Sequence, residues 1–61
     1  MGMRLKRLRT VQKMSQAALA KRAGLTREYV NKLEAGKQDP SLTTINALAK
    51  ALGVPVTALL E

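Results

Sequence analysis

SQAALAKRAGLTREYVNKLEAG, residues 15–36, reads as two short helices around one glycine. Ser15 is a good N-cap for a helix over about Gln16 to Ala23, where Leu19, Ala20 and Ala23 face one way and Gly24 supplies the left-handed residue that often follows a helix. Leu25 then turns inward, and Thr26 caps a helix over about Arg27 to Ala35 that ends at Gly36. In this second helix the spacing of Val30 and Leu33 sets the buried direction. At about 100° per residue, Glu28, Asn31, Lys32 and Ala35 point most nearly the other way, Arg27 and Tyr29 lie on the flanks, and Glu34 falls near the inner edge. The outward face is more varied than solubility alone requires.

Upstream, Leu5 and Leu8, followed by Val11 or Met14, predict a first helix over about Arg4 to Lys13 with basic residues between its apolar positions. Downstream, KQDP is a loop in which Pro40 stops helical continuation, and Ser41 caps a fourth helix. That helix carries a stripe of Leu42, Ile45, Leu48, Ala49 and Leu52 and ends at Gly53. The tail VPVTALLE reads as a fifth, short helix with Pro55 in its first turn. With no internal repeat, low-complexity run or linker, the sequence predicts one all-α domain over residues 1–61, a compact five-helix bundle.

A chain of 61 residues is near the size at which folding hides only about 60% of the surface that the unfolded form exposes, so the core must be thin. It must also be aliphatic: 46% of residues are apolar, yet there is no Phe, no Trp and a single Tyr29. The absence of Cys and His removes disulfides and the usual ligands of zinc and the later transition metals, and no metal or cofactor is expected. No run approaches the roughly 18 apolar residues of a membrane span, MGMRLKRLR lacks the apolar core of a signal peptide, and Lys6 stands where a myristoylation signal needs Ser or Thr. The expected compartment is the cytoplasm.

Charge is distributed unevenly. Eleven Lys and Arg face four acids, and up to Lys37 ten basic residues are opposed only by Glu28 and Glu34. Beyond it, Lys50 stands against Asp39 and Glu61. A polyanion is the natural partner of the cationic part, because each neutralised phosphate releases counterions.

Two helices joined by a short turn containing Gly form a helix-turn-helix arrangement, and small residues at Ala20, Ala23 and Gly24 let the pair approach closely. The segments LKRLR, SQAALAKRAGLT, LEAG, PSLTTINALAKALGV and ALL, in that order from about Leu5 to Leu60, resemble the lambda-type repressor and Cro (Xre-type) helix-turn-helix family. Several such pieces in order are far more specific than any one alone. The resemblance implies a lambda repressor-like DNA-binding domain, usually dimeric, whose third helix enters the major groove. It also implies that Gln16 bonds a DNA phosphate and supports the recognition helix. Arg27, Glu28 and Lys32 would meet bases, with Thr26, Tyr29 and Asn31 close by, and Arg9 and Glu34 would form a structural ion pair. Tyr29 is bulkier than the small residue common at that place in the family.

Each residue also has a plainer reading. Arg27 offers a planar fork of donors matching guanine O6 and N7, or it is a solvated arginine; a cation in the first turn opposes the helix dipole, so folding does not favour it there. Glu28 and Lys32, four apart in the favourable order, can accept from cytosine and donate to guanine, or pair with each other for about 0.2 to 0.5 kcal/mol. Asn31 reads adenine, binds phosphate or stands by. Gln16 presents an amide and a helix N-terminus to phosphate, or it is an ordinary helix-surface glutamine. Lys37, Gln38, Tyr29 and Arg7 (or Lys6) are further phosphate candidates, and a charge cluster is otherwise a solubilising face. Glu34, near the buried edge of its helix, needs Arg9 because an unpaired buried carboxylate is costly. Val54, Val56, Leu59 and Leu60 complete the core and leave an apolar patch for a twin subunit. A symmetric homodimer is expected, with Val56, Leu59 and Leu60 at its interface.

Other classes fit poorly. Ser15 and Ser41 explain themselves as caps, no histidine can act as base, and the four carboxylates are scattered, so no enzyme is expected. Gly36 and Lys37 lack the rest of a phosphate-binding loop. One Tyr does not make the stacking platforms of a single-strand binder, and the apolar face of helix one is better explained as core than as a membrane face. The expected function is a sequence-specific transcriptional regulator on a near-palindromic duplex. The competing reading is an antitoxin or a restriction-modification controller of the same fold, which binds a protein partner such as a toxin and its own promoter.

Overall fold

All four of the chain's turns close in the same way, by a left-handed residue that lets the chain fold back after a helix. A computed structural model describes residues 1–60; Glu61, the last residue of the expected domain and of VPVTALLE, lies outside the described residues. The elements are α1 (Gly2–Val11), α2 (Gln16–Ala23), α3 (Arg27–Glu34), α4 (Leu42–Leu52) and α5 (Thr57–Leu60), with no strand among the described residues.

Serine and threonine start the three central helices. The hydroxyls of Ser15, Thr26 and Ser41 accept from the backbone N–H groups of Ala18, Tyr29 and Thr44, each three residues on, satisfying donors that a helix start leaves without partners. At the end of α2, Gly24 adopts φ 72°, so that the Leu25 N–H reaches back to the Ala20 carbonyl at 2.8 Å and Leu25 is steered against the core. The same closure ends α1 without a glycine. Lys13 takes φ 57° and the Met14 N–H bonds the Arg9 carbonyl at 3.1 Å. A side chain in this region costs about 1 kcal/mol. Lys13→Gly is therefore expected to raise unfolding stability by roughly 0.5 to 1 kcal/mol, measured as a higher urea midpoint at unchanged slope.

Leu5, Leu19, Val30, Leu33, Leu48 and Leu59 are the largest side chains fully removed from solvent, with Ala20, Ala49 and Leu52 beside them in a single core. Burying each large aliphatic side chain stabilises by about 1.5 to 3 kcal/mol. Helix α2 is central, packing on both α3 and α4, while α1 packs on α3 and α5. A close approach joins α1 to α3: a Cβ on Gly2 would lie 2.7 Å from the Leu33 and Glu34 carbonyl oxygens, so only glycine lets the first turn of α1 sit against the end of α3.

Several expectations are corrected. Helix α1 starts at Gly2 rather than Arg4, because the Met1 carbonyl accepts from the Leu5 N–H, and it ends at Val11, two residues before the left-handed Lys13. Of the two candidates for its last inward position, Met14 packs on the core and Val11 is 72% exposed. Leu42 does not belong to the buried stripe of α4: it is 69% exposed, since the first position of the helix lies about 60° around the axis from Ile45. Pro55 precedes α5 instead of opening it, its carbonyl accepting from the Ala58 N–H at 3.0 Å in the turn that leads into the helix.

Candidate nucleic-acid interface

Helix α3 buries Val30 and Leu33 and exposes Arg27, Glu28, Asn31 and Lys32, and these four line one shallow recess. Their spacing of one and four residues puts them on one stripe along the helix. Glu28 and Lys32 make no ion pair in this arrangement; among the described residues the ion pair is Arg9 with Glu34. Both charged heads are therefore available to a partner. Thr26 is exposed at the start of α3, where its hydroxyl also holds the Tyr29 N–H at 3.1 Å. The Tyr29 ring is half-buried and packs against the core, which gives the bulky residue a structural role.

Beneath the exposed stripe, polar side chains connect three helices. The Asn31 Nδ2 donates to Gln16 Oε1 at 3.2 Å, and the Gln16 Nε2 donates to Glu34 Oε1 at 3.0 Å. Arg9 donates to the same carboxylate through Nε at 2.7 Å and Nη2 at 3.1 Å, and its Nη1 reaches the Met14 carbonyl at 2.8 Å. The side chains of Arg9 and Glu34 are only 11% and 4% exposed. No buried side-chain nitrogen or oxygen among the described residues lacks a partner. Asn31 on the exposed stripe, Gln16 and the buried ion pair thus form one connected unit.

Burial alone would raise the Glu34 pKa, but hydrogen bonds from Arg9 and Gln16 and the charges of Arg9 and Lys6 outweigh it and hold the carboxyl below its ordinary value. A group with a depressed folded pKa stabilises the native state at pH values above its unfolded pKa and loses that contribution as pH falls through the folded value. Stability is therefore expected to be flat through neutral pH and to fall below about pH 4, and Glu34→Gln is expected to flatten that acid limb in thermal melts recorded against pH.

The remaining candidates separate by position. Gln16 opens α2, and Lys37 and Gln38 are exposed just past α3. On α1 it is Lys6 that shares a cleft with Gln16, Asn31 and Glu34, whereas Arg7 lies a 100° step around the helix, in a recess with Met3 and Arg4. Leu59 has no exposed surface and so offers nothing to a twin subunit; it belongs to the core because α5 turns it inward between α1 and α4. Val56 is half-buried and Leu60 is 57% exposed.

Two of the contacts that sequence reasoning missed join distant parts of the chain. One is the Asn31–Gln16 bond, and the other is Gln12, whose Nε2 donates to the Leu52 carbonyl at 2.6 Å and ties the end of α1 to the end of α4. Neither has a local signature, since the partners lie 15 and 40 residues apart. The chain has no Cys or His, and no group of three acidic side chains able to hold a metal ion gathers among the described residues. No described helix is long and apolar enough to cross a membrane.

Comparison with known proteins agrees with this geometry. The helix-turn-helix family model matches residues 5–59. The immunity repressor protein of Bacillus phage phi105 is 41% identical over 58 residues, covering 95% of this chain and 40% of that one, so the chain spans less than half the length of that curated relative. The restriction-modification controller protein C.AhdI of Aeromonas hydrophila is 43% identical and superposes with a TM-score of 0.94 over 95% of this chain and 88% of its own. SinR of Bacillus subtilis, a master regulator for biofilm formation solved in complex with DNA, is 31% identical with a TM-score of 0.93 over 98% of this chain and 97% of its own. Five helices in this order, a polar recess on the third, and a family match over nearly the whole sequence lead to one conclusion: the chain belongs to the lambda repressor-like, Xre-type helix-turn-helix family of DNA-binding transcriptional regulators.

Proposed function

We propose that this protein is a sequence-specific regulator that binds double-stranded DNA as a homodimer on a near-palindromic site, with half-sites about one helical turn apart. Helix α3 enters the major groove, where Arg27, Glu28 and Lys32 meet base edges and Thr26 lies beside them. Gln16 at the start of α2, Lys37 and Gln38 after α3, and Lys6 in preference to Arg7 meet phosphates. Val56 and Leu60 contribute to the dimer contact. The supporting observation is the recess on α3: four side chains of mixed donor and acceptor character stand exposed and unpaired by charge on the helix whose other side is locked into the core. Regulation then follows from occupancy, by blocking or recruiting polymerase.

A second reading has its own support. The match to C.AhdI covers nearly all of that controller protein, which favours a restriction-modification controller acting at its own promoter. Footprinting on the DNA upstream of the gene separates it from a regulator of distant sites.

Phosphate contacts and base contacts differ in what their loss does. Lys37→Ala is expected to weaken specific and random duplexes by the same factor and to lower the slope of log K against log salt by about 1. Fluorescence anisotropy across a salt series measures both; a Lys37→Ala loss confined to one sequence would contradict the assignment.

A further inference from the structure

The carboxylate of Glu34 sets the polarity of the hydrogen bonds that lead from it to the surface of α3. An ionised carboxylate only accepts, so Gln16 must turn its Nε2 towards Glu34, as it does at 3.0 Å. The oxygen of that amide then faces Asn31, where only a donor fits, and Asn31 supplies Nδ2 at 3.2 Å. Asn31 is exposed, and its Oδ1 is the end of the amide left for a donor from outside. A free surface asparagine flips and offers either end; this one is held by a buried charge two bonds away.

We propose that Asn31 is a base-reading acceptor, its Oδ1 selecting an amino-bearing base edge, adenine N6 or cytosine N4, because Gln16 holds its amide nitrogen inward. The inference rests on the reading of α3 as the helix that enters the major groove. In that groove guanine O6 and thymine O4 are acceptors and repel an outward carbonyl, while the amino groups of adenine and cytosine satisfy it. Phosphate oxygens are acceptors too, so the same orientation makes Asn31 a poor phosphate contact. With Arg27 and Lys32 as donors and Glu28 as an acceptor in the same recess, α3 presents two donors and two acceptors, a set that suits a half-site mixing guanine with amino-bearing bases.

The test is a binding selection from a random duplex library on the wild type and on Asn31→Ala, sequenced at one moderate salt concentration. Alanine is the better helix former at this exposed position, and circular dichroism confirms that the variant is folded. The expected result is one position in each wild-type half-site whose preference, about fivefold or more, alone disappears in Asn31→Ala, and at which deleting the exocyclic amino group of the preferred pair (purine for adenine, 2-pyrimidinone for cytosine) weakens binding of the wild type but not of the variant. The proposal is overturned if deleting that amino group leaves the wild-type affinity unchanged. It is equally overturned if Asn31→Ala keeps every preference, whether or not its affinity falls uniformly, since Asn31 would then only support Gln16. A folded wild type that enriches no sequence would sink the regulator reading itself, and this inference with it.

Discussion

Arg9→Ala is expected to leave most of the protein unfolded at 25 °C. Breaking a buried ion pair from one side costs about 3 to 5 kcal/mol, because the remaining charge is stranded away from water. The pair with Glu34 meets that condition, with both side chains almost wholly enclosed and the guanidinium bonded to both carboxylate oxygens. Solvent screening therefore does little to soften the loss. Arg9→Ala also removes the donor to the Met14 carbonyl, in the turn between α1 and α2. A core this small rarely supplies more than about 3 to 5 kcal/mol in total, so the single change consumes the stability of the domain. Removing both charges is a different matter. Arg9→Met combined with Glu34→Leu replaces the pair by apolar groups of similar reach and is expected to fold, with stability within about 2 kcal/mol of the wild type. Urea unfolding followed by circular dichroism distinguishes the two variants. A loss below about 1 kcal/mol for Arg9→Ala would mean that the pair behaves as a surface contact and that α1 is held by its apolar side alone.

Arg27→Ala is expected to act on recognition and leave the fold intact. A bidentate contact from a guanidinium to guanine discriminates by about 1 to 3 kcal/mol, so affinity for the selected site should fall by roughly 5- to 150-fold while random duplex loses far less. Arg27→Lys separates charge from geometry: it keeps the cation and removes the planar fork, and most of the discrimination should be lost with it. Stability supplies the control. A cation in the first turn of α3 opposes the helix dipole at a cost of a few tenths of a kcal/mol, so Arg27→Ala should melt at or slightly above the wild-type temperature. Specific and random affinities are compared by anisotropy at one salt concentration. Equal losses on the two duplexes would move Arg27 from the base edges to the phosphate backbone.

The side chain that Arg9→Ala removes is tied to the surface of α3 through a relay of hydrogen bonds. Glu34 is bonded to Arg9 and to Gln16, and Gln16 to Asn31, so the ion pair that holds α1 against α3 also orients the polar groups at the surface of α3. The Arg9→Met, Glu34→Leu double variant therefore offers a folded protein in which the anchor of Gln16 is gone.

What the sequence determined by itself was local. Ser15, Thr26 and Ser41 are caps and Gly24, Gly36 and Gly53 are left-handed closures in the structure as in the sequence, because each acts on backbone groups within a few residues of its own position. The outward direction of Glu28, Asn31 and Lys32, with Arg27 on the flank, was legible for the same reason: a helix converts spacing directly into direction. The family followed from the order of such pieces along the chain. Tertiary structure decided the rest. That Leu59 is enclosed and that Gly2 has no room for a side chain both depend on what a neighbouring helix presents at that point. The polarity of the Asn31 amide depends on a charge carried by another turn of α3 and relayed through α2. No local pattern encodes it, because the orientation of an amide is set by its hydrogen-bonding partners and these partners meet only when the helices pack.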